Sequence, residues 1–319
     1  MTTIHTWTVS GEAVGQRLDH FVLAQLGPDV SRSRIQKMIV GGVILVNEVV
    51  ATKHYFLRAG DVVHIADATA FSAIVNPAQL DWTSVAAVEP DVPILFEDDA
   101  IVVIHKPAGL VVHPNATSDP EPSVASWFVA HCGTAVLDEA WEHSLRPGIV
   151  HRLDKPVTGV MVLAKTAGAF QALKQQFQLR TVEKSYRAIV YGVPSQEAGD
   201  IRFVLQRSSM NPGKMAARPE HEEGRDAWTE YTVIRSIHDR YAELAVQIHT
   251  GRTHQIRAHL AAIDHPVVGD RMYASKKYPI FAKSDALFLH SAELSFAHPL
   301  TGEKMTFTAP LPPHFSLFD

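Results

Sequence analysis

Arg146-Pro147-Gly148-Ile149-Val150-His151-Arg152-Leu153-Asp154-Lys155-Pro156-Val157-Thr158-Gly159 runs directly into Val160-Met161-Val162-Leu163-Ala164. The second run is short and wholly apolar, the pattern of a strand buried on both faces. An aspartate between a His-Arg pair and a Thr-Gly turn, just ahead of such a strand, is where a chain presents a carboxylate to a pocket. Asp154 is therefore the first candidate for chemistry. Taken alone, the stretch would equally suit an ion pair of Asp154 with Arg152 or Lys155 that closes a loop, so the decision rests on the rest of the chain.

At 319 residues the chain exceeds one small core and suits a large domain with a smaller one. A hydrophobic content of 46% with 20% charged residues is that of an ordinary globular protein. No apolar run approaches the roughly 18 residues needed to span a bilayer, and no basic-then-apolar leader opens the chain, so a cytoplasmic protein without membrane contact is expected. Cys132, the only cysteine, leaves no internal disulfide and no multi-cysteine metal site. The net charge of −5 argues against binding nucleic acid through bulk positive charge, so any such contact must come from local clusters. Among the 18 histidines, His249, His254 and His259 recur every five residues. On a helix that spacing turns about 140° beyond one revolution, so the three share no face. With no His-Glu-x-x-His pattern either, no metal and no cofactor are expected.

Residues 15–66 read as a small unit of their own. Leu18, Val22, Gln25 and Leu26 follow Arg17 at helical spacing, Gly27-Pro28 breaks the pattern, and Ser31 offers a cap for a second helix carrying Ile35, Met38 and Ile39. Gly41-Gly42 stops it, and Val43, Leu45 and the turn at Asn47-Glu48 begin short strands that continue to Ile65. The second helix also carries Arg32, Arg34 and Lys37, a basic triplet of the kind solvated helix faces often hold. Residues 67–92, rich in Ala, Pro and Asp, read as a linker.

From residue 93 to 313 a second unit is expected. It opens with a hairpin around Asp98-Asp99 and ends that hairpin at Lys106-Pro107-Ala108-Gly109. Strand-like segments at 160–164, 184–191, 228–234, 241–248, 287–296 and 304–308 mix with helix-like ones at 123–131, 166–179 and 253–263. With no regular strand-helix-strand repeat, this is an α+β pattern and not a doubly wound one. Two further segments bear on Asp154. In Glu183-Lys184-Ser185-Tyr186-Arg187-Ala188, strand alternation places Tyr186 and Ala188 on one face. In Thr250-Gly251-Arg252-Thr253-His254-Gln255-Ile256-Arg257-Ala258-His259-Leu260, the apolar stripe of Ile256, Leu260 and Ile263 has Arg257 beside it, from where a guanidinium can reach inward to a carboxylate.

These three segments, with His265-Pro266-Val267-Val268-Gly269-Asp270, Leu289-His290-Ser291-Ala292 and His298-Pro299-Leu300-Thr301-Gly302, resemble the RluA-type pseudouridine synthases in order, type and spacing. That family isomerises uridine to pseudouridine in folded RNA, and the likeness runs from about Ile94 to Pro312. Arg17-Leu18-Asp19, Ser31 to Lys37 and Gly41 to Asn47 resemble the S4 RNA-binding domain. The resemblances imply an α+β catalytic domain with a mixed, mainly antiparallel sheet, preceded by a small S4-like domain.

They also imply roles. Asp154 matches the catalytic aspartate, Arg257 the arginine that pairs with it, and Tyr186 the active-site tyrosine. Arg152 matches the arginine that fills the space left when the target uridine swings out. Arg252 and His254 are implied RNA contacts, and Arg32, Arg34 and Lys37 implied phosphate contacts, which position RNA without reading it. The reaction breaks the C1′–N1 bond, rotates the uracil and rejoins it through C5 with no net gain or loss, so no cofactor is implied. A glycal route, with Tyr186 against the base and assisting loss of the C5 proton, is the preferred mechanism over attack on sugar or base. The expected partner is RNA, first 23S rRNA or a pre-ribosomal particle, with transfer RNA as the alternative substrate. A non-catalytic RNA-binding or ribosome-assembly factor is the alternative function, and a monomer is expected. Pro156 and Val157 depart from the family's small polar pair, which bears on the shape of the loop beside the pocket.

Overall fold

The computed structural model describes residues 5–27, 30, 32–52, 54–66, 91–114, 122–137, 146–211, 213–275, 277–278, 281 and 284–319, without the side chains of Ser33 and Arg34. The expected Ser31 cap and residues 67–90 of the expected linker lie outside the described residues. Contacts divide the chain between Leu80 and Asp81 into two compact units.

In the first unit, α1 (Leu18–Leu26) ends where Gly27 takes a positive φ of 78°. Helix α2 (Arg32–Val40) follows. Both lie with a four-stranded sheet of order β1-β4-β2-β3, formed by β1 (Thr6–Thr8), β2 (Ile44–Val46), β3 (Val49–Val50) and β4 (Val62–Ile65). Strand β1 lies ahead of the expected start of the unit at residue 15. Asn47 and Glu48 both have positive φ, the geometry that matches strand twist in a two-residue hairpin turn. Leu18, Val22, Ile35, Met38, Ile39 and Ile65 fill the core. Asp19 is fully buried, and accepts hydrogen bonds from Arg17, Arg32 and Gln36.

The second unit is built on a ten-stranded sheet. Its strands are β5 (Ile94–Glu97), β6 (Ile101–Lys106), β7 (Thr158–Ala164), β8 (Glu183–Tyr191), β9 (Ala198–Arg207), β10 (Met215–Arg218), β11 (Arg225–Ile237), β12 (Tyr241–Ile248), β13 (Leu289–Ala297) and β14 (Lys304–Thr308). The order is β10-β9-β11-β12-β8-β13-β7-β6-β5, with β14 also paired to β13. All pairs are antiparallel except β13 with β7, so the sheet is mixed and mainly antiparallel. Three helices complete the unit among the described residues: α3 (Val124–Cys132), α4 (Ala167–Leu179) and α5 (Gln255–Ala262). Ser123 caps α3 in a capping box with Ser126, and Thr166 caps α4. Helix α4 lays Phe170 and Leu173 on Val160, Val162, Leu294 and Phe296.

Two differences from the sequence reading have clear causes. Strands β9 and β10 were not expected; β9 is made by its pairing with β11, which buries Ile201, Val204 and Leu205. Thr158-Gly159 is not a turn but the start of β7. Thr158 pairs with His290 and Gly159 with Ser291, and a Cβ on Gly159 would lie 2.1 Å from the Ser291 carbonyl oxygen. Only glycine allows β13 to approach there. No helix among the described residues is long and apolar enough to cross a membrane.

Candidate active site

The parallel β7–β13 pair, with β8 against β13, puts the Asp154 loop at the middle of the sheet. That loop is pinned on both sides. His151 accepts the Val162 N–H at Nε2 (3.0 Å) and stacks on Phe177 of α4. Its acceptor role fixes the neutral tautomer, and burial pushes its pKa down to about 3. Leu153 is buried beside it. Past Asp154, the Val157 N–H closes a turn on the Asp154 carbonyl (3.0 Å). Pro156 sits inside this turn, where its missing N–H leaves no bond unmade.

Lys106 holds the turn from below. Its fully buried Nζ donates to the carbonyls of Pro107 and Leu110 (2.8 Å each) and of Lys155 (3.2 Å). Burial draws its pKa down to about 7, opposed by the negative charge of Asp154. In the sequence Lys106 only ends a hairpin. The signal that marks it is a lysine closing a strand, Ile101–Lys106, that is otherwise buried.

Arg257 comes from the opposite side. Ahead of α5, His254 adopts a left-handed conformation with φ 54°. Gln255 then clamps the helix start to β11, donating from Nε2 to the Trp228 carbonyl and the Thr229 hydroxyl (2.9 Å each). Its Oε1 accepts from the Thr250 hydroxyl (2.7 Å) and the Arg252 N–H (3.1 Å). With the helix fixed, Arg257 turns inward and is 5% exposed. Its Nη1 donates to Asp154 Oδ2 (3.1 Å), while Nε and Nη2 donate to both oxygens of Asp270 (2.6 and 2.9 Å). Burial opposes the guanidinium charge, but the two carboxylates outweigh it and raise its pKa further. Tyr273 lies under the guanidinium, 5.2 Å from ring centre to Cζ, and its Oη takes the Met215 N–H (2.8 Å). Neither Asp270 nor Tyr273 was given a role from sequence, because their link to Arg257 exists only in the folded chain.

Tyr186 faces the same space from β8. Burial, with some help from Asp154, pushes its phenol pKa up to about 12, so it holds its proton at neutral pH. A slot of about 90 Å³ lies between Asp154, Tyr186, Arg257 and Leu289. A wider groove of about 430 Å³ adjoins it, sharing Arg152, Tyr186 and Arg252 as lining. His254 Nε2 stands 3.8 Å from Asp154 Oδ2 and its Nδ1 meets Tyr273 Oη (3.1 Å). Burial lowers its pKa, so it is an uncharged neighbour at neutral pH.

Asp154, Tyr186, Arg257, Arg152, Arg252 and His254 therefore line one connected space. Arg32, Arg34 and Lys37 belong to the other unit: Lys37 is exposed, and Arg32 spends its Nε on Asp19 (2.8 Å) while 43% of its side chain stays exposed. His249, His254 and His259 are not brought together, His249 stacking on Trp228 and His259 lying against Phe203. Among the described residues, one group of potential metal ligands converges, Glu97, His131 and Cys132, within 4.8 Å of one another. Glu97 there already bonds Lys165 and His131 (2.8 Å each), and burial pushes the Cys132 thiol up to about 11, so the group is an ion-pair cluster as it stands.

The site thus pairs a part-buried aspartate with an arginine beside a protonated tyrosine, over a mixed sheet. Comparison with known proteins narrows this. The family model for RNA pseudouridylate synthase matches residues 100–262, and that for the S4 domain matches residues 16–63. An uncharacterized RNA pseudouridine synthase of Synechocystis is 37% identical over 308 residues, covering 96% of this chain and 89% of the relative. The ribosomal large subunit pseudouridine synthase D of Salmonella typhimurium is 37% identical over 321 residues, covering 96% and 90%. Human RNA pseudouridylate synthase domain containing 4 superposes with a TM-score of 0.54 at 27% identity, over 74% of this chain and 92% of that one. The chain belongs to the RNA pseudouridine synthase family.

Proposed function

We propose that this enzyme converts uridine to pseudouridine in 23S rRNA, free or in a pre-ribosomal particle, with Asp154 as the essential catalytic group. The observation that carries the reading is the slot itself, where one carboxylate with a single guanidinium contact faces a protonated phenol. Arg257 holds the Asp154 carboxyl through its Nη1 hydrogen bond (3.1 Å) and sets a positive charge beside it. Tyr186, a donor at neutral pH, packs against the uracil; a phenol of this pKa does not take the C5 proton unaided. Arg152 occupies the space the flipped uridine leaves, offsetting part of an unstacking cost of a few kcal/mol. The C1′–N1 bond breaks, C1′–C5 forms, N1 gains a proton and C5 releases one to water.

The choice of 23S rRNA draws on relatives named for the large ribosomal subunit. Residues 15–66 serve as an S4-like RNA-binding domain, joined through 67–92 to a catalytic domain spanning 93–313, in a cytoplasmic monomer. Lys37, with Arg32 and Arg34, adds phosphate contacts. Tritium release from RNA labelled at uridine C5 tests the whole reading. Release from 23S rRNA by wild type and not by Asp154→Asn is expected. Release from transfer RNA alone would move the substrate, and release by Asp154→Asn would remove the assigned role of Asp154.

A further inference from the structure

The groove beside the Asp154 slot is cationic far beyond what the acidic chain as a whole would suggest. Arg146, Arg152, Arg180, Lys184 and Arg252 all line it, and among the described residues no carboxylate does. Among the described residues none of the five forms an ion pair. Arg252 Nε donates to the Asp226 carbonyl oxygen (3.1 Å), and Lys184 reaches only to the Phe177 ring at 6.0 Å. The charges press on one another: after burial, it is Arg152 that weighs on Arg146, Arg180 on Lys184, and Arg225 with Arg180 on Arg252, each lowering the neighbour's pKa. Of the described carboxylates, Asp226 alone offsets part of the Arg252 charge, so cations crowded this way hold a positive potential that an anion relieves.

Arg180 adds an independent sign. It caps α4 with φ 60° and ψ 31°, the left-handed conformation that glycine adopts most easily. An arginine in that conformation costs backbone strain that glycine would not, and its side chain lines the cationic groove.

We propose that Arg146, Arg180, Lys184 and Arg252 form a phosphodiester cradle that holds the RNA backbone flanking the nucleotide whose base enters the slot. This rests on the RNA reading above and extends it to residues with no role in the chemistry. Because the groove and the slot share Arg152, Tyr186 and Arg252, a strand held in the first delivers its base to the second. The cradle grips single-stranded backbone, which suits a uridine already outside a helix.

The test uses the full chain and two probes, a single-stranded oligouridylate of about a dozen nucleotides, a length within the span of single-strand grooves, and C5-tritiated 23S rRNA. Wild type is compared with the Arg180→Ala/Lys184→Ala double variant, Arg180→Gly, and Lys304→Ala as a surface control. The double variant is expected to bind oligouridylate roughly tenfold more weakly, with a salt slope shallower by about 1.4, taking 0.7 per single-stranded phosphate. Its KM for rRNA should rise more than its kcat falls. Arg180→Gly should weaken binding while melting no lower than wild type, which separates lost charge from lost fold. Unchanged oligouridylate affinity and slope in the double variant would overturn the cradle. Weakened oligouridylate binding with no turnover of any RNA by wild type would leave the cradle standing and remove the synthase reading instead.

Discussion

Each unit pairs an aspartate with arginine, and the two sites differ in how completely the carboxylate is enclosed and satisfied. Asp19, in the first unit, is fully buried and accepts from Arg17 Nε and Nη2, Arg32 Nε and Gln36 Nε2. Although burial raises its pKa, these donors outweigh it and hold the carboxyl well below the usual range. Asp154 keeps 14% of its side chain exposed and, among the described residues, accepts one side-chain hydrogen bond, from Arg257. Arg257 gives its other two donors to Asp270, a fully enclosed carboxylate that also takes the Met272 and Tyr273 N–H groups. Asp270 thus resembles Asp19, while Asp154 stands apart. A carboxylate whose lone pairs are all used is a strut; one left half-used, with open space before it, is free to react.

The sharpest way to break this comparison is to neutralise each aspartate in turn. Asp154→Asn should reduce tritium release by roughly a thousandfold or more, the upper range for loss of a proton-transferring or nucleophilic group, and leave thermal melting nearly unchanged. Asp19→Asn should do the reverse. It removes a charge that several donors share and should lower stability of the first unit by about 3 kcal/mol, read in a urea titration, with kcat intact on saturating RNA. A large stability loss in Asp154→Asn would show that it too is a strut.

How much of this was legible beforehand follows the same division. Strands β8, β12 and β14 and the Asp154 stretch announce themselves through local alternation and apolar runs, which need no knowledge of partners. Strand β9 escapes, because only pairing with β11 makes Ala198–Arg207 a strand. Gly159 was read as part of a turn because its requirement, the close approach of Ser291, comes from 132 residues further on. Asp154, Tyr186 and Arg257 could be picked out as residue types in a familiar order. Most of the supports beneath them could not: Gln255, Asp270 and Tyr273 act through contacts that no local pattern encodes, and Lys106 leaves only the trace of a lysine closing an apolar strand. Arg32 carries a contact that its sequence position does not announce, its Nε bound to the buried Asp19 carboxylate while 43% of its side chain stays exposed.

If Asp270 is a strut for Arg257, its loss should appear in the chemistry as well as in stability. Asp270→Asn frees the guanidinium to swing toward Asp154 or away from it. A misplacement of about 1 Å in such a site lowers turnover by roughly a hundredfold. The expected pattern is a fall in kcat with KM for RNA little changed, and a smaller fall in Tyr273→Phe, which keeps the ring under Arg257 but loses the Met215 contact. Equal losses in kcat and RNA affinity would make Asp270 a general fold residue and dissolve the distinction between it and Asp154.

The smallest expected effect separates the units by acidity. In the second unit, burial draws His259 and His290 down to about 4, against 6.5 for a free imidazole. Between those values the folded chain binds fewer protons at these histidines than the unfolded one, so their contribution to stability falls as the pH drops from 6.5 toward 4 and is flat above. At pH 5.5 the loss is about 1.4 kcal/mol for each histidine. In the first unit the shifted carboxyls, Asp19 and Asp61, have pKa values lowered below 3.8. Their contribution is present above the unfolded value and lost only as the pH falls further. His151, drawn down to about 3, adds a similar loss in the second unit. Urea midpoints at pH 7.5 and 5.5 should therefore drop for the second unit and hold for the first, and His259→Leu should remove no more than about a third of the drop. Parallel drops in both units would mean that the first unit, too, owes its acid response to buried imidazoles.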